Sequence, residues 1–127
     1  MRKIVGTADV FIYDKKGDYV GTIHATEIEL EAKPDACIYT IDFPVTDTRT
    51  LQFFGNISDF QYKMNSISKY EPRWGKMILE YEIHVKPSGR KEIARIGYHR
   101  VCFTIKNQTF SADDLSRVVL TAEAYAD

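Results

Sequence analysis

Apolar and polar residues alternate with a period of two along much of the chain. That spacing sends successive side chains to opposite faces of a strand. Residues 4–13 read as a first strand, and Asp14-Lys15-Lys16-Gly17-Asp18 as a Gly-containing turn, so a hairpin follows. Residues 19–31 form the second strand, bent near Gly21. In its second half Thr26, Ile28 and Leu30 alternate with Glu27, Glu29 and Glu31, which puts three carboxylates on one face. Pro34, in Ala32–Ala36, ends that strand because proline fixes φ and removes a donor. Residues 37–43 read as the third strand.

The middle of the chain changes period. Pro44 to Arg49 reads as a polar loop and Thr50 to Phe54 as a short strand ended by Gly55-Asn56. Ile57, Phe60, Met64 and Ile67 then recur at helical spacing, with Asn56 placed to cap and Asp59 three positions on. A helix is predicted over 57–68, followed by a connecting loop at Glu71–Gly75. Strands return at 77–85 and 92–105, joined by the turn Lys86–Arg90, with Gly97 a candidate bulge. Ser111–Asp114 starts a short helical turn, and 117–125 closes the chain as a strand. These elements predict one mainly β domain over 1–127, a β-sandwich or partly open barrel with one flanking α-helix.

Composition narrows the class. The 127 residues suit one domain, and 44% apolar with 28% charged residues is globular material. Seventeen Lys and Arg against eighteen Asp and Glu give a net charge of −1, unlike the basic surplus of a dedicated nucleic-acid binder. Cys37 and Cys102 sit in apolar runs and read as small core residues, without a C-x-x-C pair. Met1-Arg2-Lys3 is followed by no apolar stretch of signal-peptide type, and no window is apolar enough for a membrane helix. The expectation is synthesis in a cytoplasm, a soluble product and no membrane span.

Chemistry-bearing motifs are sparse. His24, His84 and His99 lie in no metal-ligand spacing, so no metal or cofactor is expected. His84 reads as a surface residue beside Glu80 and Glu82; a metal site shared with His99 across the Lys86–Arg90 hairpin is the minor alternative. No P-loop, nucleophile elbow or dinucleotide fingerprint occurs. Asp113-Asp114 reads as a helix cap, and the glycosylation patterns at Asn56 and Asn107 carry little weight without a secretory signal. No catalytic residue is assigned and an enzyme is not expected. A site assembled from separate strands stays open, with His84 and His99 its candidates. A further alternative is a small ligand-binding β-sandwich module, for carbohydrate or peptide, with Trp74 and Tyr70 as a stacking platform.

Two patterns remain. Glu27, Glu29, Glu31, Glu80, Glu82 and Glu123 make an acidic rhythm on strand faces; it serves either as a solvated face or as one that repels a polyanion. Tyr39 and Phe43 share a face opposite Ile38, which suggests burial on both sides by neighbouring subunits. The order Gly6–Ile12, Lys15-Lys16-Gly17, Tyr19–Ile23, the Glu27–Glu31 rhythm, Ile78–Val85, Ser88-Gly89-Arg90, Ala94–Tyr98, Ser111–Leu115 and Val118–Tyr125 resembles the tail tube proteins of bacteriophages and related contractile injection systems. The resemblance is one of pattern and order over most of the chain. It lacks the Gly-rich repeat before the middle strand, where Pro44–Arg49 stands.

That resemblance implies a structural virion protein that self-associates into hexameric rings, stacked as a DNA-conducting tube. Its partners would be other tail proteins, with DNA passing without specific binding, in a virion tail made in the host cytoplasm. Glu27, Glu29 and Glu31 would face the channel, with Glu80 and Glu82 as second candidates. Asp14, Lys15, Lys16 and Gly17, with Asp47 and Arg49, would bridge rings, and Met1–Val5 would act as an arm.

Overall fold

Six strands close into a barrel in the order β1-β2-β3-β6-β5-β4, with every neighbouring pair antiparallel. They are β1 (Arg2–Asp14), β2 (Tyr19–Ala32), β3 (Ala36–Pro44), β4 (Arg73–Val85), β5 (Arg90–Thr109) and β6 (Arg117–Tyr125). This is a computed structural model in which residues 2–44, 53, 72–85, 88–109 and 117–126 are described.

Alternation along each strand fills the interior. Val10 and Ile12 of β1, Leu79 of β4, Val101 and Phe103 of β5 and Val118, Leu120 and Ala122 of β6 are fully shielded from solvent. Ile28, Tyr39, Ile41, Phe43 and Met77 belong to the same cluster, and Phe53 packs against it, edge-on to Phe103 at 6.1 Å. A six-stranded barrel is narrow enough for side chains to fill it, so its inside is a core.

The architecture is mainly β, as expected, but it is a closed barrel where a sandwich or partly open barrel is predicted from sequence. The reason lies in two long strands that turn corners. β2 pairs with β1 from Tyr19 to Leu30 and with β3 only from Glu27 to Ala32. β5 pairs with β4 from Arg90 to Phe103 and with β6 from Val101 to Thr109. Each strand leaves one layer and enters the other, and strands that switch layers do so at bulges or bends. At the β2 corner the register with β1 shifts between Val5 and Ala8. The buried set there changes from Gly21, Ile23 and Ala25 to Ile28, so Thr26 is exposed and does not share the face of Ile28. At the β5 corner the register with β4 shifts opposite Gly75–Met77.

Other boundaries move as well. The segment read as the loop Glu71–Gly75 enters β4 at Arg73, because Trp74 already pairs with Cys102. The β5 irregularity falls between Tyr98 and Val101, while Gly97 pairs regularly with Ile78. The flanking helix at 57–68 and the helical turn at Ser111–Asp114 lie outside the described residues, as does the short strand at 50–54 apart from Phe53.

Candidate functional site

The β5 corner builds the most distinctive surface. Between its pairs with Met77 and Gly75, β5 spends one more residue than β4, running from Tyr98 to Val101. Such a bulge re-aims the side chains around it. Here it carries His99 and Arg100. The Arg100 guanidinium lies over the Trp74 ring at 5.8 Å and over the Tyr125 ring at 5.5 Å. The two rings stack with centroids 5.7 Å apart and planes at 30°. Cation–π contact of this kind contributes about 0.5–1 kcal/mol at exposed sites. Tyr125 donates its hydroxyl to Glu123, and that bond raises the pKa of the phenol. Gly75 is required beneath the cluster: a Cβ there would meet the Tyr13 carbonyl oxygen at 2.4 Å.

Two clefts flank this cluster. One, of about 360 Å³, is lined by Lys15, Trp74, Gly75, His99 and Arg100. The other, of about 420 Å³, includes Lys15, Lys16, Phe53, Arg73 and Trp74. Lys15 and Trp74 belong to both and therefore stand between them. The β1–β2 turn that presents Lys15 is held by Asp14, whose carboxylate accepts the amides of Lys16 and Asp18 at 2.9 Å. Gly17 completes it at φ +93°, a conformation side chains disfavour.

The residues singled out from sequence land apart from one another. Glu27 and Glu29 are half-buried and Glu31 is exposed on the outer side of β2, alternating with inward Ile28. Glu80 is taken by Arg95 at 2.7 Å, and Glu82 is exposed. Glu80 and Asp9 are opposite each other in the ladder, and Asp9 meets His24 Nδ1 at 2.7 Å. Asp14, Lys15, Lys16 and Gly17 form the turn just described, whereas Asp47, Arg49 and Tyr70 lie outside the described residues. Trp74, named as a stacking platform with Tyr70, instead stacks on Tyr125, with Arg100 over both rings; neither contact has a signature in the local sequence. His84 pairs with Lys91 in the hairpin ladder, and His99 sits at the bulge far along β5, so the two are not opposed. Among the described residues no group of three or more His, Cys, Asp or Glu is arranged to hold a metal ion.

The cysteines divide. Cys37 packs against the core cluster, while Cys102 is half-buried between the inward Val101 and Phe103 and so points outward. Burial raises the pKa of the Cys102 thiol. The reading of both as core residues therefore holds only for Cys37.

Among known proteins, the family model of the fimbrillin-A associated anchor proteins Mfa1 and Mfa2 matches residues 2–109. The chain belongs to this family. No curated protein and no solved structure matches it. Membership overturns the tail-tube resemblance, and with it the ring-stacked DNA channel, the tail-protein partners, the passage of DNA and the location in a virion tail. It equally leads away from a carbohydrate- or peptide-binding module. The resemblance rested on alternation, Gly-containing hairpins and glutamates on strand faces, features that any antiparallel barrel with a solvated outer side shares. Among the described residues no helix is long and apolar enough to cross a membrane.

Proposed function

We propose that this chain is a non-catalytic anchor protein of bacterial cell-surface fimbriae, which holds a subunit of the fimbrillin-A type by strand pairing at its β4–β5 hairpin. The family match supports the fimbrial role. The observation that carries the mode of contact is an unpaired strand edge. From Arg90 to Tyr98, β5 pairs with β4 and with no other strand among the described residues, because its β6 ladder begins at Val101. A free strand edge presents unpaired backbone donors and acceptors and accepts an added strand from a partner. Ile93, 69% exposed, offers an apolar contact on the same stretch.

Capture of purified fimbrillin-A-type subunits by the immobilised chain tests this reading. Capture is expected, with a clear loss on Ile93→Lys. A chain that captures none, or an Ile93→Lys variant that captures as well as its parent, removes the hairpin from the role.

A further inference from the structure

The three large apolar side chains exposed among the described residues are Tyr19, Trp74 and Ile93, and two of them lie at one end of the barrel. Tyr19 is 60% exposed beside the β1–β2 turn, in edge contact with Tyr13 at 5.7 Å. Trp74 is 38% exposed on the other side of that turn and shares a cleft with Lys15 and Lys16. Cations surround both. Lys15 and Lys16 are exposed at the turn, Arg73 and Arg100 line the clefts beside Trp74, and the Lys76 ammonium lies over Gly17 of the turn. Three acids stand among these five cations, Asp14 and Asp18 at the turn and Glu123 beside Tyr125, so the balance here is basic; Asp14 accepts two turn amides and Glu123 the Tyr125 hydroxyl.

Tryptophan and tyrosine with lysine and arginine beside them are the side chains that settle at a membrane–water interface, since each has an apolar body and a polar or charged tip. The relief fits as well. Trp74 and Lys15 stand between two open clefts, a ridge able to enter a headgroup layer, with Arg100 in one cleft and Lys16 and Arg73 beside Asp14 and Asp18 in the other. We infer that this end of the barrel, centred on Trp74, Lys15 and Arg100, docks onto the anionic phosphate surface of a lipid bilayer. The fimbrial edge at Arg90–Tyr98 is a different part of β5, so this inference does not rest on the fimbrial reading.

Trp74 is the single tryptophan of the chain, so its fluorescence reports the docking surface directly. Vesicles of phosphatidylcholine with phosphatidylglycerol are expected to sediment the protein and shift Trp74 emission to the blue. Vesicles of phosphatidylcholine alone are expected to do neither, and salt is expected to release the protein. Each basic residue near an anionic surface contributes about 1 kcal/mol. Lys15→Glu with Lys16→Glu is therefore expected to weaken vesicle binding by at least about thirtyfold. Both side chains are exposed, so the fold is kept and circular dichroism checks it. Equal sedimentation with both lipid mixtures, or unchanged binding of the double variant, overturns the inference. So does an emission shift caused by inorganic phosphate alone, which marks a free-anion site, or by soluble polyglutamate, which marks an acidic protein partner. Capture of a fimbrial subunit is read separately, so either proposal can fail without the other.

Discussion

The hydroxyls of Tyr39 and Tyr98 share a hydrogen bond although their strands, β3 and β5, are separated by β6. Their rings meet edge-on with centroids 5.7 Å apart. The contact is made just beyond the last β5–β6 pair, Val101 with Ala124. It ties the two strands together where the ladder between them stops.

Removing either hydroxyl tests that tie. Tyr39→Phe is expected to cost about 0.5–1.5 kcal/mol, the usual net value of an intramolecular hydrogen bond. The double change to Phe should cost less than the sum of the single changes, because each single variant leaves one polar group without this partner. Urea unfolding of the four proteins measures the coupling, and strict additivity would show that the bond contributes nothing.

The same pair sets a pH dependence. Burial raises the pKa of both phenols above the usual value near 10. In that window the folded state holds protons that the unfolded state has released, so stability falls as pH rises. The contribution is intact below about pH 10 and is lost progressively above it. Unfolding midpoints at pH 8, 10 and 11 are expected to drop after pH 10, and to drop less in Tyr39→Phe.

Two glycines of the β4–β5 wall should respond in opposite ways. Gly75→Ala forces a methyl to within 2.4 Å of the Tyr13 carbonyl oxygen and 3.4 Å of Phe103. Backbone cannot yield as a side chain does, so a loss of about 1–3 kcal/mol or more is expected. At Gly97 the nearest atom to an added Cβ is Ile78 Cγ1 at 3.8 Å, an ordinary contact. Gly97→Ala is expected to be neutral or slightly stabilising. Thermal melts of the two variants rank them, and an equal effect would show that Gly75 is not confined.

Arg117 gathers the β2 corner. Its guanidinium reaches Asp42 Oδ1 at 2.8 Å and Thr26 Oγ1 at 2.6 Å, joining β6 to β3 and β2. Both charged partners are partly exposed, so Arg117→Ala is expected to cost only about 0.5–1 kcal/mol, and less at high salt. A larger loss that ignores salt would mean that the guanidinium acts through packing.

Oxidation should leave the chain open. Cys37 faces the core and Cys102 the outside of the barrel, so no internal disulfide can form without dismantling β3 or β5. After diamide treatment the monomer band on a non-reducing gel is expected to keep its mobility. A faster band would show the two thiols meeting.

Period-two patterning was enough to find the hairpins of this chain. Lys15-Lys16-Gly17 and Ser88-Gly89-Arg90 are turns, with Gly17 and Gly89 at positive φ. It was enough for the inward set as well: Val101, Phe103 and Ile105 share one buried face, as do Val118, Leu120 and Ala122. What it could not show is closure. Whether two layers stay apart or join depends on β2 and β5 each changing partners part-way along, and no single strand's alternation records its neighbour. The site was hidden for the same reason. Trp74, Arg100 and Tyr125 come from three strands, and the bulge that turns Arg100 onto the rings is one extra residue counted against β4, a relation between strands.

Closure also sets how this barrel must form. The β1–β2 and β4–β5 hairpins join near neighbours in sequence and need only short loops. The wall is finished by pairs such as Val10 with Leu79 and Ile41 with Leu120, whose partners are distant in the chain. Contacts of that range bring no gain until the long loop between them has been closed, so chains that depend on them fold slowly, on a scale of roughly milliseconds to seconds. Until β4 reaches β1 and β6 reaches β3, the edges that the finished barrel conceals are bare, and a newly made chain is most vulnerable to mispairing in that interval.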